Sequence, residues 1–411
     1  MAKNKQSLKV YLHETFVGYL SQESHNLTFL YDDSYLQSDE PPISIRLPLS
    51  DHHFDDETTR SFFTNLLPEG GFRQSVCQQL GISDRNDFAL LKAIGRECAG
   101  AVSILPDNEN LPGSGEWEYS KLTNKEINNL VHNHTGKTLM IGEEGRRLSL
   151  AGAQNKLPVY FDGTDIYLPE NGAPSNHILK PAIGTDYPGS VANELFCNRL
   201  ADAIGLSVPQ TYFFHNHYLI ERYDRVSRDG LVRRLHQEDF CQALGYSPSQ
   251  KYQAEGGPGL KQCFHLLDQS EIPVLDKKAL LEWVLFNVII GNADAHAKNL
   301  SILYQGASFS LAPLYDLLCT AVYPGLSSKL AMKIGGENRL DWLMVRHWEK
   351  FAQEEADISI RMITNKLKKM AYQVVEVLPG VANTIFAETG DEIVSKISEF
   401  ITRHCDKLQK L

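Results

Sequence analysis

The stretch 291–300, "GNADAHAKNL", decides how this chain is read. It follows "ALLEWVLFNVII" (279–290), an apolar run suited only to a core element. Within ten residues the chain then offers Asn292, Asp294, His296, Lys298 and Asn299. Such a cluster is either a polar loop closing a helix or a reaction centre mounted on one.

Spacing favours the second reading. Asn299 lies five residues after Asp294, and Asp316 lies seventeen after Asn299. The intervening "LSILYQGASFSLAPLYD" alternates, turns at "QGAS" and returns, which predicts a hairpin. Antiparallel strands lie about 5 Å apart, so a hairpin brings its entry and exit together. Asn299 and Asp316 should therefore face one another. An amide oxygen and a carboxylate are hard ligands suited to Mg²⁺, with other positions left to water and phosphate. Asp294, a short loop away, would take the proton of an attacking hydroxyl. This is the layout of phosphoryl transfer: a base Asp, four residues, an Asn ligand, then a second metal-binding Asp. His296 would brace the loop and Lys298 would neutralise charge on the transferred group. The plainer alternative is that Asp294 caps a helix and Asp316 begins a turn.

Phosphoryl transfer from ATP also calls for a lysine on a strand and a helix glutamate to position it. "HILKP" places Lys180 at a strand end, and "VANELF" places Glu194 in the first turn of the next helix. Alone, Lys180 reads as an exposed strand end and Glu194 as favourable charge at a helix N-terminus. "SLAGAQNKLPVY" (149–160) reads as strand, small-residue turn, strand. Ala151, Gly152 and Ala153 carry little or no side chain, so backbone N–H groups there can approach an anion closely. The pattern GxxxxGK[ST] followed by a helix is missing, which disfavours a P-loop.

The totals agree with a soluble globular chain. It has 411 residues, 42% hydrophobic and 22% charged, with mean hydropathy −0.28. That length favours two or more lobes. "WVLFNVII" is too short to span a bilayer, and the N-terminus has no apolar signal region, so a cytoplasmic location is expected. A net charge of −11 makes the chain a poor binder of nucleic acid phosphates by itself. "NKLKKM" (365–370) reads as a solvated helix face. Seven scattered cysteines without a CxxC pair read as reduced thiols. The histidine pairs 52/53, 132/134 and 215/217 have no second cluster at metal-ligand spacing.

Along the chain, residues 8 to about 105 read as a mixed module. "LKVYLHETFVGYL" and "NLTFLYD" alternate like strands, and "RSFFTNLLPEGGFRQSVCQQLG" reads as a loop running into a helix ended by Gly81. "PDNENLPGSGEWEYS" (106–120) is the best linker. Strands dominate from about 140, interrupted by the helix "SVANELFCNRLADAIG"; helices dominate from about 236, apart from a strand pair at 300–315. Strands followed by helices predict an α+β protein with two lobes, sheet-rich first and helical last.

These blocks together resemble the HipA family of bacterial serine/threonine kinases, the toxin halves of HipBA toxin–antitoxin pairs. The likeness runs over nearly the whole chain. It is carried by "NLLPEG" (65–70), "LLKAIGRECAGAVSILP" (90–106), "SLAGAQNK" (149–156), "HILKP" (177–181), "NELFCNRLADAIGLSVP" (193–209), "IERYDR" (220–225), "HQEDFCQALG" (236–245), "GNADAHAKNLSI" (291–302) and "LAPLYDLL" (311–318). The resemblance implies a bilobed protein-kinase-like fold: an N-terminal subdomain at 1–108, an N-lobe-like region at 122–235 and a helical C-lobe at 236–411. It implies Asp294 as catalytic base, Asn299 and Asp316 as Mg²⁺ ligands and Lys180 as the ATP-phosphate lysine. Ala151, Gly152, Ala153, Gln154, Asn155 and Lys156 match the phosphate loop. Glu221 and Tyr223 fall at the adenine-contacting hinge, through their backbone groups. Ser149 matches the family's autophosphorylated serine, here behind Arg146 and Arg147. Phosphorylation there adds about −1.5 to −2 charge, which predicts that the loop is pulled outward and the kinase switched off. Ala295 stands where relatives can carry Gly.

The implied substrate class is protein Ser/Thr, with glutamyl-tRNA synthetase the target associated with the family. The implied partner is a small helix-turn-helix antitoxin that carries the toxin onto operator DNA. Three rival readings remain at this stage: a small-molecule phosphotransferase, a non-catalytic co-repressor subunit, and, more distantly, a metal-dependent hydrolase using Asp294 and His296.

Overall fold

The computed structural model describes residues 6–132, 154–184, 187–228 and 230–410. Two compact units emerge, and the chain passes back and forth between them. The first comprises Met1–Pro181, Glu221–Pro248 and Leu303–Phe309; the second comprises Ala182–Ile220, Ser249–Ile302 and Ser310–Leu411. Among the described residues, no helix is long and apolar enough to cross a membrane.

The first unit is built on antiparallel sheet. Thr15–Glu23 pairs with Asn26–Tyr31 on one side and Gln6–Leu12 on the other, and Val102–Pro106 returns to pair with Gln6–Leu12. Alternation explains the core: Leu8, Val10, Leu20, Leu27 and Phe29 are buried from one set of pleats. Helices pack on this layer, and their ends follow local chemistry. Asp55 caps Asp56–Phe63 by accepting from the Thr58 N–H, and Gly81 ends Gly70–Leu80 in the left-handed conformation that favours glycine. "RSFF", expected as loop, is therefore the last turn of a helix that Asp55 starts. A second antiparallel array runs in the order Glu118–Lys121, Ile166–Glu170, Leu157–Phe161, His177–Lys180.

An ionic cluster at the centre of the first unit ties its sequence-distant parts together. Glu97 accepts from Arg225 at 3.0 Å, from the Ser175 hydroxyl at 3.1 Å and also from Arg234. Asp224 accepts from Arg222 at 2.9 and 2.7 Å, and from the Gly100 N–H at 2.7 Å. Burial pushes the Glu97 carboxyl up, but Arg234, Arg225 and Arg222 outweigh it and hold the group at about 2. Breaking such a cluster by removing one partner costs about 3–5 kcal/mol, because a charge is left buried and unpaired.

The second unit is mainly helical: Ser190–Ala203, Leu260–Leu266, Pro273–Ile290, Val345–Phe351, Ile360–Thr389 and Ile393–Leu408. It holds more strand than the hydrophobic pattern foretold. The hairpin of Ser301–Gln305 and Ser308–Leu311 begins and ends in this unit while Leu303–Phe309 belongs to the first, and Lys329–Ile334 pairs with Glu337–Arg339. Its turn uses Gly335, where an added Cβ would lie 1.9 Å from the His347 carbonyl oxygen. "LAMKI" gave no alternation because Leu330, Ala331 and Met332 are all buried.

Candidate active site

The reaction loop grows out of a helix of the second unit whose later turns are buried. Pro273–Ile290 starts with Pro at its first turn, exposes Val274 and Leu275, and from Leu280 onward is buried at every position but Glu282. It ends at Gly291, in the left-handed region at φ 70°, with the Asn292 N–H reaching back to the Asn287 carbonyl at 2.9 Å. Two constraints make Gly291 glycine. One is its φ; the other is that a Cβ would lie 2.4 Å from the Phe400 ring and 2.9 Å from Ala321.

Side-chain amides then carry the chain to Asp294. Asn287 donates to the Trp283 carbonyl at 2.9 Å, Asn292 donates to Asn287 Oδ1 at 2.8 Å, and the Asp294 N–H donates to Asn292 Oδ1 at 3.0 Å. Thr320 fixes the other side, accepting from the Ala293 N–H at 2.7 Å and donating to the Gly291 carbonyl at 3.0 Å. The Ala331 N–H donates to the Ala293 carbonyl at 2.9 Å. With its backbone so restrained, Asp294 is half-buried and accepts from the Tyr252 hydroxyl at 2.6 Å.

The hairpin brings Asn299 and Asp316 together. Asn299 Nδ2 donates to Asp316 Oδ2 at 2.7 Å, while the His296 N–H donates to Asn299 Oδ1 at 3.3 Å. Asp316 sits at φ 58°, an uncommon backbone conformation for a non-glycine residue that here turns its carboxylate toward Asn299. Tyr315 locks the hairpin base, donating to the Lys298 carbonyl at 2.7 Å and bonding the Ser301 hydroxyl at 2.8 Å. Beyond it, the fully buried Asn193 clamps the backbone of Cys319, donating to its carbonyl at 3.0 Å and accepting from its N–H at 2.8 Å. A carboxylate beside an amide oxygen is a donor set that fits Mg²⁺. For both residues to ligate one cation, the Asn299 amide would turn so that its oxygen replaces Nδ2.

The remaining candidates occupy several settings. His296 and Lys298 are buried in the same loop, His296 with its ring edge-on to Tyr252 at 5.1 Å between centroids. Lys180 is buried at the end of His177–Lys180 in the first unit, and Glu194 is buried in Ser190–Ala203 in the second. Gln154, Asn155 and Lys156 are half-buried ahead of Leu157–Phe161. Glu221 is exposed and Tyr223 half-buried, the latter donating to Gln237. Between and after them, Arg222, Asp224 and Arg225 enter the buried ionic cluster. Ser149, Ala151, Gly152 and Ala153 lie outside the described residues.

The sequence reading passed over four residues that build this site: Asn193, Tyr252, Asn287 and Thr320. Asn287 carried a signal, as the one polar residue interrupting "WVLFNVII". Buried in an apolar helix, such a residue requires a partner.

The family model of the HipA-like C-terminal domain matches residues 148–380, and that of the HipA N-terminal domain matches residues 8–105. The chain belongs to the HipA family. Among its relatives, Y4mE of Sinorhizobium fredii, whose name carries the word kinase, is 41% identical over 90% of this chain and 91% of its own. The serine/threonine-protein kinase toxin HipA of Shewanella oneidensis is 32% identical over 80% of this chain and 79% of its own. A structure of Shewanella oneidensis HipA with HipB and operator DNA aligns with a TM-score of 0.84, covering 98% of this chain and 99% of that one at 27% identity. The HipA fold, kinase-like with a sheet-rich first part and a helical C-terminus, is thus the fold of this chain.

Proposed function

We propose that this HipA-family chain is an ATP- and Mg²⁺-dependent protein serine/threonine kinase, acting as the toxin of a toxin–antitoxin pair. The observation that carries the reading is the grouping within one unit of Asp294, held through the Asn287–Asn292 amides, with Asn299 and Asp316 bonded at 2.7 Å. Asp294 orients the acceptor hydroxyl and receives its proton. Asn299 and Asp316 hold the metal, which when bound neutralises charge on the nucleotide phosphates. Lys180 and the loop 151–156 bind those phosphates, His296 braces the reaction loop and Lys298 offsets charge on the transferred group. Glu221 and Tyr223 meet the adenine through their backbone. Catalysis is then mostly positioning and electrostatic stabilisation.

The chain phosphorylates a cellular protein, with glutamyl-tRNA synthetase the first acceptor to test. It autophosphorylates on Ser149, and a helix-turn-helix antitoxin carries it to operator DNA. Net charge of −11 favours an indirect contact with DNA. The test is transfer from γ-³²P-ATP and Mg²⁺ to lysate proteins and, separately, to metabolites. Label in a protein, strongly reduced but still measurable in Asp294→Asn and reduced in Asp316→Asn, supports the kinase. Label only in small molecules would shift the reading to a small-molecule phosphotransferase, and an Asp294→Asn chain as toxic as the parent would shift it to a non-catalytic co-repressor.

A further inference from the structure

We infer that Tyr252 is a positioning residue for the base Asp294, an inference that rests on the kinase reading above. Its hydroxyl donates to Asp294 Oδ1 at 2.6 Å, which fixes one carboxylate oxygen on the phenol. A carboxylate on a flexible Cα–Cβ bond can rotate away from an acceptor hydroxyl. A phenol fixed on one oxygen stops that rotation and directs the other oxygen.

Tyr252 is built into the fold rather than resting on the base. The segment 249–257, "SQKYQAEGG", is a clip. The Glu255 and Gly257 N–H groups both donate to the Tyr252 carbonyl, at 3.0 and 3.1 Å. Gly257 passes so close beneath that an added Cβ would lie 1.7 Å from the Gln250 carbonyl oxygen. Gln253 Oε1 accepts from the Lys333 N–H at 2.7 Å, anchoring the clip to the strand whose Ala331 N–H holds Ala293. The ring packs edge-on against His296 in the reaction loop, and the Lys251 ammonium lies 5.5 Å from its centroid. Each tie restrains the backbone or the ring, so the clip holds Tyr252 in place beside the base. A swinging plug that blocks the acceptor site would need these ties broken on every turnover.

The experiment is a double-mutant cycle on the full chain with Mg²⁺, γ-³²P-ATP and heat-treated bacterial lysate as acceptor. Tyr252→Phe removes one oxygen and keeps the ring. A hydrogen bond to a charged group is worth enough to cut the rate at saturating ATP by about tenfold or more. The KM for ATP and the melting temperature should stay at parental values, because the bond acts on the base and not on nucleotide binding or packing. In an Asp294→Asn background, Tyr252→Phe should change the residual rate by less than about twofold, since the two residues act as one unit. A Tyr252→Phe rate equal to or above the parent overturns the inference, the latter outcome marking a plug. An equal loss in both backgrounds also overturns it, because Tyr252 would then act apart from Asp294. If the parent chain labels no protein at all, the kinase reading falls and this inference falls with it; transfer that ignores Tyr252 removes this inference alone.

Discussion

Glu238 gives the first unit a pH dependence opposite in sign to that of most carboxylates. Its side chain is fully buried. It accepts from the Ser44 hydroxyl at 2.7 Å, from the Ile45 N–H at 3.1 Å and from the Tyr304 hydroxyl, with no cation paired to it among the described residues. Burial pushes the carboxyl up, Tyr304, Ser44 and Ile45 only partly offset that, and Asp239 adds repulsion, leaving it at about 7 against 4.5 when unfolded. Between those values the folded chain holds a proton that the unfolded chain has lost. Stability from this group is therefore complete below about pH 4.5 and drains away as pH rises through about 7. At 1.36 kcal/mol per pKa unit the loss is about 3 kcal/mol. Glu238→Gln keeps the shape and stays neutral; its amide oxygen can still accept from Tyr304 and Ile45, and its amide nitrogen can donate to Ser44. Thermal or denaturant unfolding of parent and variant from pH 5 to 8.5 checks this, since every other titrating group cancels in the difference. The variant should gain on the parent steadily with pH, by about 3 kcal/mol over the range. A gap that stays constant with pH would refute the reasoning.

Three further outcomes are expected. Asn292→Ala strips a partner from the Asp294 N–H and from Asn287 Oδ1, at about 1–3 kcal/mol for each buried group, so both the melting temperature and phosphate transfer should fall. Glu97→Gln leaves Arg222 and Arg225 to Asp224 and takes the carboxylate from Arg234, and denaturant titration should show a loss of about 3–5 kcal/mol. The parental Glu97 contribution should be present above about pH 4.5 and vanish only as pH falls through about 2, because its folded value is the lower one. Gly291→Ala should cost about 1–2 kcal/mol from its left-handed backbone alone, with the clash at Phe400 added; pairing it with Phe400→Ala should recover part of the melting temperature.

The reaction loop was legible because its evidence is local. An apolar run, a polar burst and a hairpin of known span place Asn299 against Asp316 with no knowledge of the rest of the chain. Tyr252 was not legible, since it meets Asp294 from 42 residues away through a clip whose only marker is "GG". Asn193 was hidden for another reason. Its neighbour Glu194 is the residue type expected to act, whereas an asparagine clamping the Cys319 backbone 126 residues on leaves no periodic trace. In "IERYDR" the motif was read for what its backbone would offer a nucleotide. The side chains of Arg222, Asp224 and Arg225 instead serve the first unit's interior, and four charges in six residues look like surface until their partners are known.

Phe400 extends the support of the candidate site almost to the end of the sequence. The C-terminal family match stops at residue 380, yet the ring seated where Gly291 lacks a side chain comes from Ile393–Leu408. The final helix is thus a backstop for the turn that launches Asp294. Trimming the chain at the border of the recognised domain would leave every reactive group in place and remove the brace behind them.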